Sequence, residues 1–271
     1  MKYAILKIIL VLIIASGCAK NIFQSASSSS SDDSLLIDAK LAINSFDYSS
    51  AITIVTTKMS ASGQAQVAAK DVLASAYAGK CGLNFVSYLN SLATASSTQA
   101  FALMMTPFVG IVADPAACLL ALKTLDTVGT SAQRSANENA FAAVVGMSLL
   151  GSQIRVSADI APVNGDGIAD ANICNMSNAE MDNVILGFGY MVENFAFLSV
   201  KQLGAGSQTA INNLVGVCAA VSGGVPCTIT NPASISQPLR DVMKRLINTD
   251  DYGVGAVHTG GNAILIGLAC P

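Results

Sequence analysis

Residues 64–78 read Gln-Ala-Gln-Val-Ala-Ala-Lys-Asp-Val-Leu-Ala-Ser-Ala-Tyr-Ala. Val67, Ala68, Val72, Leu73 and Ala76 recur at intervals of three and four residues, which sets them along one face of an α-helix. The neighbouring stretches carry the same pattern. Residues 34–46 place Leu35, Ile37, Leu41 and Ala42 near one stripe, residues 48–58 follow after a short break at Asp47, and residues 83–93 carry Phe85, Val86, Leu89 and Leu92. Turns this short imply antiparallel neighbours.

Further along, residues 101–113 continue the pattern as far as Pro107, which removes a backbone donor and interrupts the helix. Pro115 opens a helix to Val128 at a first-turn position, where proline is tolerated. Residues 131–154 predict a long helix rich in Ala, Gly and Val, and Ser177-Asn178-Ala179-Glu180 is a capping box opening another to Leu203. Residues 207–221 and 238–248 complete the set. The expected fold class is all-α: roughly nine or ten helices with little sheet, built from antiparallel hairpins as a solenoid or bundle, with the long helices in the C-terminal half. Glu138 and Glu193 fall inside the long helices and argue against membrane spans. Gly146, Gly187 and Gly189 point to close helix packing.

Ala39, Ala42, Phe46-Asp47-Tyr48 and Ala51-Ile52 in one hairpin, and Leu73, Ala74, Ala76, Tyr77 and Ala78-Gly79 in the next, resemble tetratricopeptide-like repeats. In that family small residues let paired helices approach closely, and Tyr and Leu fill the gap. The likeness covers about sixty residues and implies a groove that receives a protein partner.

The N-terminus has a different character. Lys2 and Lys7 precede an unbroken apolar run from Ile8 to Ile14, and small residues lead to Cys18. These are the parts of a secretory signal, and the run is short of the ~20 residues a membrane helix needs. Ala15-Ser16-Gly17-Cys18 resembles the bacterial lipobox, with Ala15 where leucine is commonest. The resemblance implies cleavage after residue 17 and lipidation of Cys18, whose acyl chains would hold the protein stably on a membrane. Ala19 follows in place of the aspartate that retains enteric lipoproteins at the inner membrane, so the expected location is the periplasmic face of the outer membrane. Residues 18–33 include a serine run and read as a flexible tether of about 20 Å mean reach. Residues 34–271 would form one helical domain. In plan the chain is similar to small helical lipoproteins that accompany periplasmic solute-binding proteins of transporters.

With 14 basic and 17 acidic residues and no basic cluster, nucleic acid is not an expected partner. Only 11% of residues are charged while 52% are hydrophobic, a balance that leaves three readings open. Apolar surface is covered by self-association or a partner, it lines a cavity for a small apolar ligand, or a large core lies under a Ser, Thr and Asn surface.

Six cysteines besides Cys18 suggest disulfides in an exported protein. Cys218 and Cys227 flank a turn-rich Ser-Gly-Gly-Val-Pro segment and pair first. Cys81 with Cys118 and Cys174 with Cys270 are the further pairs considered.

The sharpest motif for a ligand is Val163-Asn164-Gly165-Asp166-Gly167-Ile168-Ala169-Asp170, which resembles a calcium loop of the Asp-x-Asn-x-Asp-Gly type. Asn164 and Asp166 would ligate through side chains, Ile168 through its carbonyl, and Asp170 directly or through water. Pro162 stands where the first aspartate belongs and Ile173 where the closing glutamate belongs, so an Asn-Gly/Asp-Gly turn is the competing reading. His258, the sole histidine, could serve a hydrolase with Asp250 or Asp251, but no Gly-x-Ser-x-Gly elbow accompanies it. The pairs Asp32-Asp33 and Asp250-Asp251 read as solvated charge, and Phe188, Tyr190, Phe195 and Phe197 as core or a cavity wall. The expectation is a non-enzymatic interaction scaffold. Its alternatives are a carrier of an apolar small molecule and a component associated with a transporter.

Overall fold

The structure, a computed structural model, describes residues 30–94, 99–160, 173–198, 203–221, 226–249 and 252–254. Among them the fold is all-helical, with no strand. The helices are α1 (Asp32–Asn44), α2 (Tyr48–Thr53), α3 (Ala61–Gln64), α4 (Val67–Lys80), α5 (Phe85–Thr94), α6 (Ala100–Met105), α7 (Pro115–Asp126), α8 (Ala136–Ala158), α9 (Asn178–Asn194), α10 (Ala205–Val221) and α11 (Gln237–Ile247).

Local chemistry explains most boundaries. Ser135 and Ser177 each form a capping box, with Glu138 and Glu180 respectively, and open α8 and α9. Asp114 caps α7 by accepting from the Ala117 amide at 3.1 Å, with Pro115 in the first turn. Pro107 ends α6 in a short 3-10 turn, Thr106–Phe108. The β-branched run after α2 forms a π-turn, Ile54–Lys58, in which the Thr56 and Thr57 hydroxyls donate back to carbonyls four residues earlier.

The structure corrects several expectations. α1 begins at Asp32, not Ser34, because Ser31 caps it. Asp32 is not a solvated tether charge: its carboxylate accepts from the amide and hydroxyl of Ser60, clasping the start of α1 to the start of α3 and holding the carboxyl below its ordinary pKa. Within α1, Leu35 and Ala39 are buried, with Ile43 packed beside their cluster, whereas Ile37 and Leu41 face solvent. Residues 35, 39 and 43 recur every four positions, and residue 37 lies about half a turn round from that row. α9 ends at Asn194 rather than Leu203, where the Asn194 side-chain Nδ2 donates to the Tyr190 carbonyl at 2.8 Å. Of the aromatic residues expected together on that helix, Phe188 and Tyr190 are buried within it, whereas Phe195 and Phe197 lie in a 3-10 turn beyond its end and Phe197 is 42% exposed.

The centre of the molecule is the pair α8 and α9. Ser157 meets Glu180, Gln153 meets Asn183, and Gly146 lies against Met191, a register that runs the two helices antiparallel. They touch backbone to backbone at Gly146 and Gly187. A Cβ on Gly146 would stand 2.8 Å from the Gly187 carbonyl oxygen, and one on Gly187 would stand 2.7 Å from the Gly146 carbonyl oxygen. By length and composition alone α8 could cross a membrane, yet 72% of its most apolar window is buried inside the protein. It is the core helix, apolar on every side because other helices surround it.

α4 and α7 form a second antiparallel pair against α8. Lys70 donates to the Thr127 carbonyl at one end (2.7 Å), and the Cys81–Cys118 disulfide, with Cα atoms 5.1 Å apart, ties the other. The Ser152 hydroxyl of α8 lies 3.8 and 3.9 Å from its two sulfurs. α4 also joins the main core to a smaller one: Val72 and Ala69 pack with Leu35, Ala39, Ile54, Val55 and Met59, while Ala78 belongs to the main core.

Gly187→Ala forces the α8–α9 backbones apart and should cost about 1–3 kcal/mol. Thermal unfolding followed by circular dichroism should show a melting temperature several degrees lower.

Candidate functional site

An apolar opening lies where the two cores meet. α1 ends at Asn44 in a Schellman motif: the Phe46 amide donates to the Ile43 carbonyl at 2.9 Å, and the Asp47 amide to the Ala42 carbonyl at 2.8 Å. The residue after the cap in this motif takes a left-handed backbone, and glycine is the usual occupant. Here it is Phe46, at φ 60°, the only non-glycine residue with positive φ among those described. Its side chain is 68% exposed, so little burial offsets the steric cost of that conformation.

Phe46 forms the lip of a groove of about 450 Å³. Tyr48 stands beside it, ring centroids 6.3 Å apart and edge to face, and lies over Gly79, where a Cβ would fall 2.1 Å from a ring carbon. The opposite lip is the chain from Leu83 to Val86, and Phe141 of α8 rises between the lips with its ring 6.1 Å from that of Phe85. The Cys81–Cys118 disulfide and a hydrogen bond from the Asp114 amide to the Cys81 carbonyl (3.1 Å) hold that second lip. Val86 is 67% exposed. No charged side chain lines this part of the groove. A shallower depression of about 330 Å³ continues it between α1 and α4, sharing Ile43, Asn44 and Ser75 and adding Lys40 and Asp71.

A polar cleft of about 360 Å³ lies elsewhere, beside the end of α7. Arg134 is buried and donates to Asn139 (3.0 Å), Asn194 (3.3 Å) and Asp126 (3.4 Å). Tyr190 donates to the other Asp126 oxygen, and Ser131 to Glu193 at 2.7 Å. Burial pushes the Asp126 carboxyl above its ordinary value against the opposing pull of Tyr190 and Arg134, and Glu193 adds to the rise. Burial, then Asp126 itself, holds the Tyr190 phenol protonated well above its ordinary range. The cluster ties α7, the turn before α8, and α9 together.

Of the residues singled out from sequence, Cys18, the loop residues Asn164, Asp166, Ile168 and Asp170, the acidic pair Asp250-Asp251, His258 and Cys270 lie outside the described residues. Cys81 is bonded to Cys118 and Cys218 to Cys227. Cys174 is also disulfide-bonded. Among the described residues no three His, Cys, Asp or Glu side chains gather as a metal site. The repeat resemblance implies a groove but not its lining: by sequence alone Phe85 and Val86 belong to a helix face and Phe46-Asp47-Tyr48 to a hairpin. The available signal was a helix end followed by phenylalanine instead of glycine. No family model, no curated protein and no solved structure matches the chain.

Two outcomes follow. Phe46→Gly relieves the left-handed strain and should raise stability by about 1 kcal/mol, or a melting temperature gain of about 2–4 °C. Asp126 has a raised folded pKa, so its contribution is full below the ordinary carboxylate value and is lost as pH rises through the folded value. Asp126→Asn keeps an acceptor oxygen for Arg134 and turns its amide N–H toward Tyr190, whose hydroxyl can accept, and its melting temperature relative to the parent should improve from about pH 4 to pH 7.

Proposed function

We propose that the protein is a non-enzymatic scaffold anchored through lipidated Cys18 on the periplasmic face of the outer membrane, and that it receives a protein partner in the Phe46–Val86 groove. The observation that carries this reading is Phe46. A bulky exposed side chain is held in a backbone conformation suited to glycine, at the lip of an apolar opening. Local strain of this kind persists where the surrounding structure over-determines it, and it concentrates at ligand clamps and other functional positions. Exposed Val86 on the facing lip and the uncharged lining support the same reading. The groove is open along its length, which favours a docked segment over an enclosed small molecule. The lipobox-like Ala15-Ser16-Gly17-Cys18 supports the anchor.

The anchor is tested by fractionation of a bacterial host. Cys18→Ser should move the protein from the membrane fraction to the soluble one, and a variant that stays with the outer membrane removes the lipid anchor from the reading. The groove is tested by a photo-crosslinking residue placed at Val86 in living cells. A discrete adduct should form and should fall about tenfold when Phe46→Gly is added. An adduct indifferent to Phe46 would count against the groove.

A further inference from the structure

The groove has unlike ends. Around Phe46, Phe85, Val86 and Phe141 it is apolar and uncharged. At the other end Asp71 lines the narrower depression, one turn before Ser75 on α4. Glu138 lies one turn before Phe141 on α8, close enough to Asp71 for its charge, after burial, to help raise the Asp71 carboxyl. The Asp71 Oδ1 atom is buried without a hydrogen-bond partner, an arrangement that is expensive in a folded protein. Lys40 lines the facing wall but makes no ion pair with either carboxylate; the three ion pairs among the described residues are Arg134–Asp126, Arg155–Asp159 and Arg240–Asp182. Within the depression Asp71 faces one ammonium, Lys40, without pairing to it, and the nearby charge of Glu138 adds to the demand for a donor at the unmatched Asp71 oxygen.

The walls also restrict the backbone of whatever docks. They are largely helices, whose main-chain groups are bonded internally; in the turn at the second lip the Leu83 amide donates to the Ala78 carbonyl and the Asn84 carbonyl accepts from the Tyr88 amide, and no strand edge exists among the described residues to pair with an extended peptide. An occupant must therefore satisfy its own backbone, as a helix does. The stretch of α4 from Asp71 to Gly79 spans about 12 Å, room for two turns of a docked helix before it reaches the Leu83–Val86 lip.

Resting on the groove reading above, we infer that the occupant is an amphipathic helix of a partner protein. It sets apolar side chains against Phe46, Phe85, Val86 and Phe141, and carries a lysine or arginine at the end that meets Asp71. The probe is a phage-displayed library of random 16-residue peptides, panned on the immobilised full chain. Enriched peptides should show apolar residues at helical spacing with a basic residue toward one end. Their binding should fall about tenfold on Val86→Asp, with circular dichroism confirming that this variant folds. Asp71→Asn should remove the preference for the basic residue while apolar binding persists. Enriched peptides that are acidic or uncharged, yet still lost on Val86→Asp, overturn the charge assignment and leave the groove standing. Peptides indifferent to Val86→Asp, or no enrichment over bare support, overturn both. A dimer in sedimentation velocity that Val86→Asp disperses would seat a second copy in the groove and also overturn the inference.

Discussion

The contact between Gly146 and Gly187 sets the geometry of everything around it. With no side chain on either residue, α8 and α9 come together at their carbonyl oxygens and amides, and the polar pairs Ser157–Glu180 and Gln153–Asn183 fall into register along the same seam. A helix so deeply placed can be apolar on all sides. The buried run from Ala142 to Leu150 then offers faces to α6 and α7 as well as to α9, and Ala142 meets Ala74 of α4. Phe141, at the edge of that run, is the one large residue of α8 that reaches the groove. The groove's floor is thus a by-product of how tightly the central pair closes.

Charge is scarce in this chain, and its placement is correspondingly informative. Arg134 is buried among two asparagines and a carboxylate, a cluster that low-dielectric surroundings make costly unless every donor and acceptor is matched. It joins residues some sixty positions apart and closes the opposite end of the molecule from the Ser157–Glu180 pair. Asp71 differs in leaving an oxygen unmatched. The first arrangement holds helices in place, and the second leaves an electrostatic demand beside an opening.

What was legible in the sequence was local. Periodicity, proline positions and the Ser177–Glu180 box place the helices because each acts within a few residues. The Cys218–Cys227 bridge belongs with them, since its cysteines stand nine positions apart on either side of a turn-rich sequence. The Ser135–Glu138 box is equally visible, and it starts α8 at Ala136, five residues beyond Ser131. The buried face of α1 was harder, because Ala39 is the residue packed inward while larger Ile37 and Leu41 point out. Hydrophobic bulk pointed to the wrong face. Arg134 with Asn194, and Phe46 with Phe141, are tertiary neighbours that no short-range pattern announces. The strain at Phe46 is a backbone property, hidden behind an ordinary side chain.

The burial of α8 also has a bearing on biosynthesis. The helix is apolar enough to pass for a membrane span, and its principal cover, α9, emerges from the ribosome only after it. Until α9 is made and docked, the growing chain presents a long greasy segment that translocation machinery and aggregating neighbours can both engage. A chaperone that holds the chain open through residue 194 would protect it in that interval. Truncation between α8 and α9 would leave a product that is sticky rather than merely incomplete.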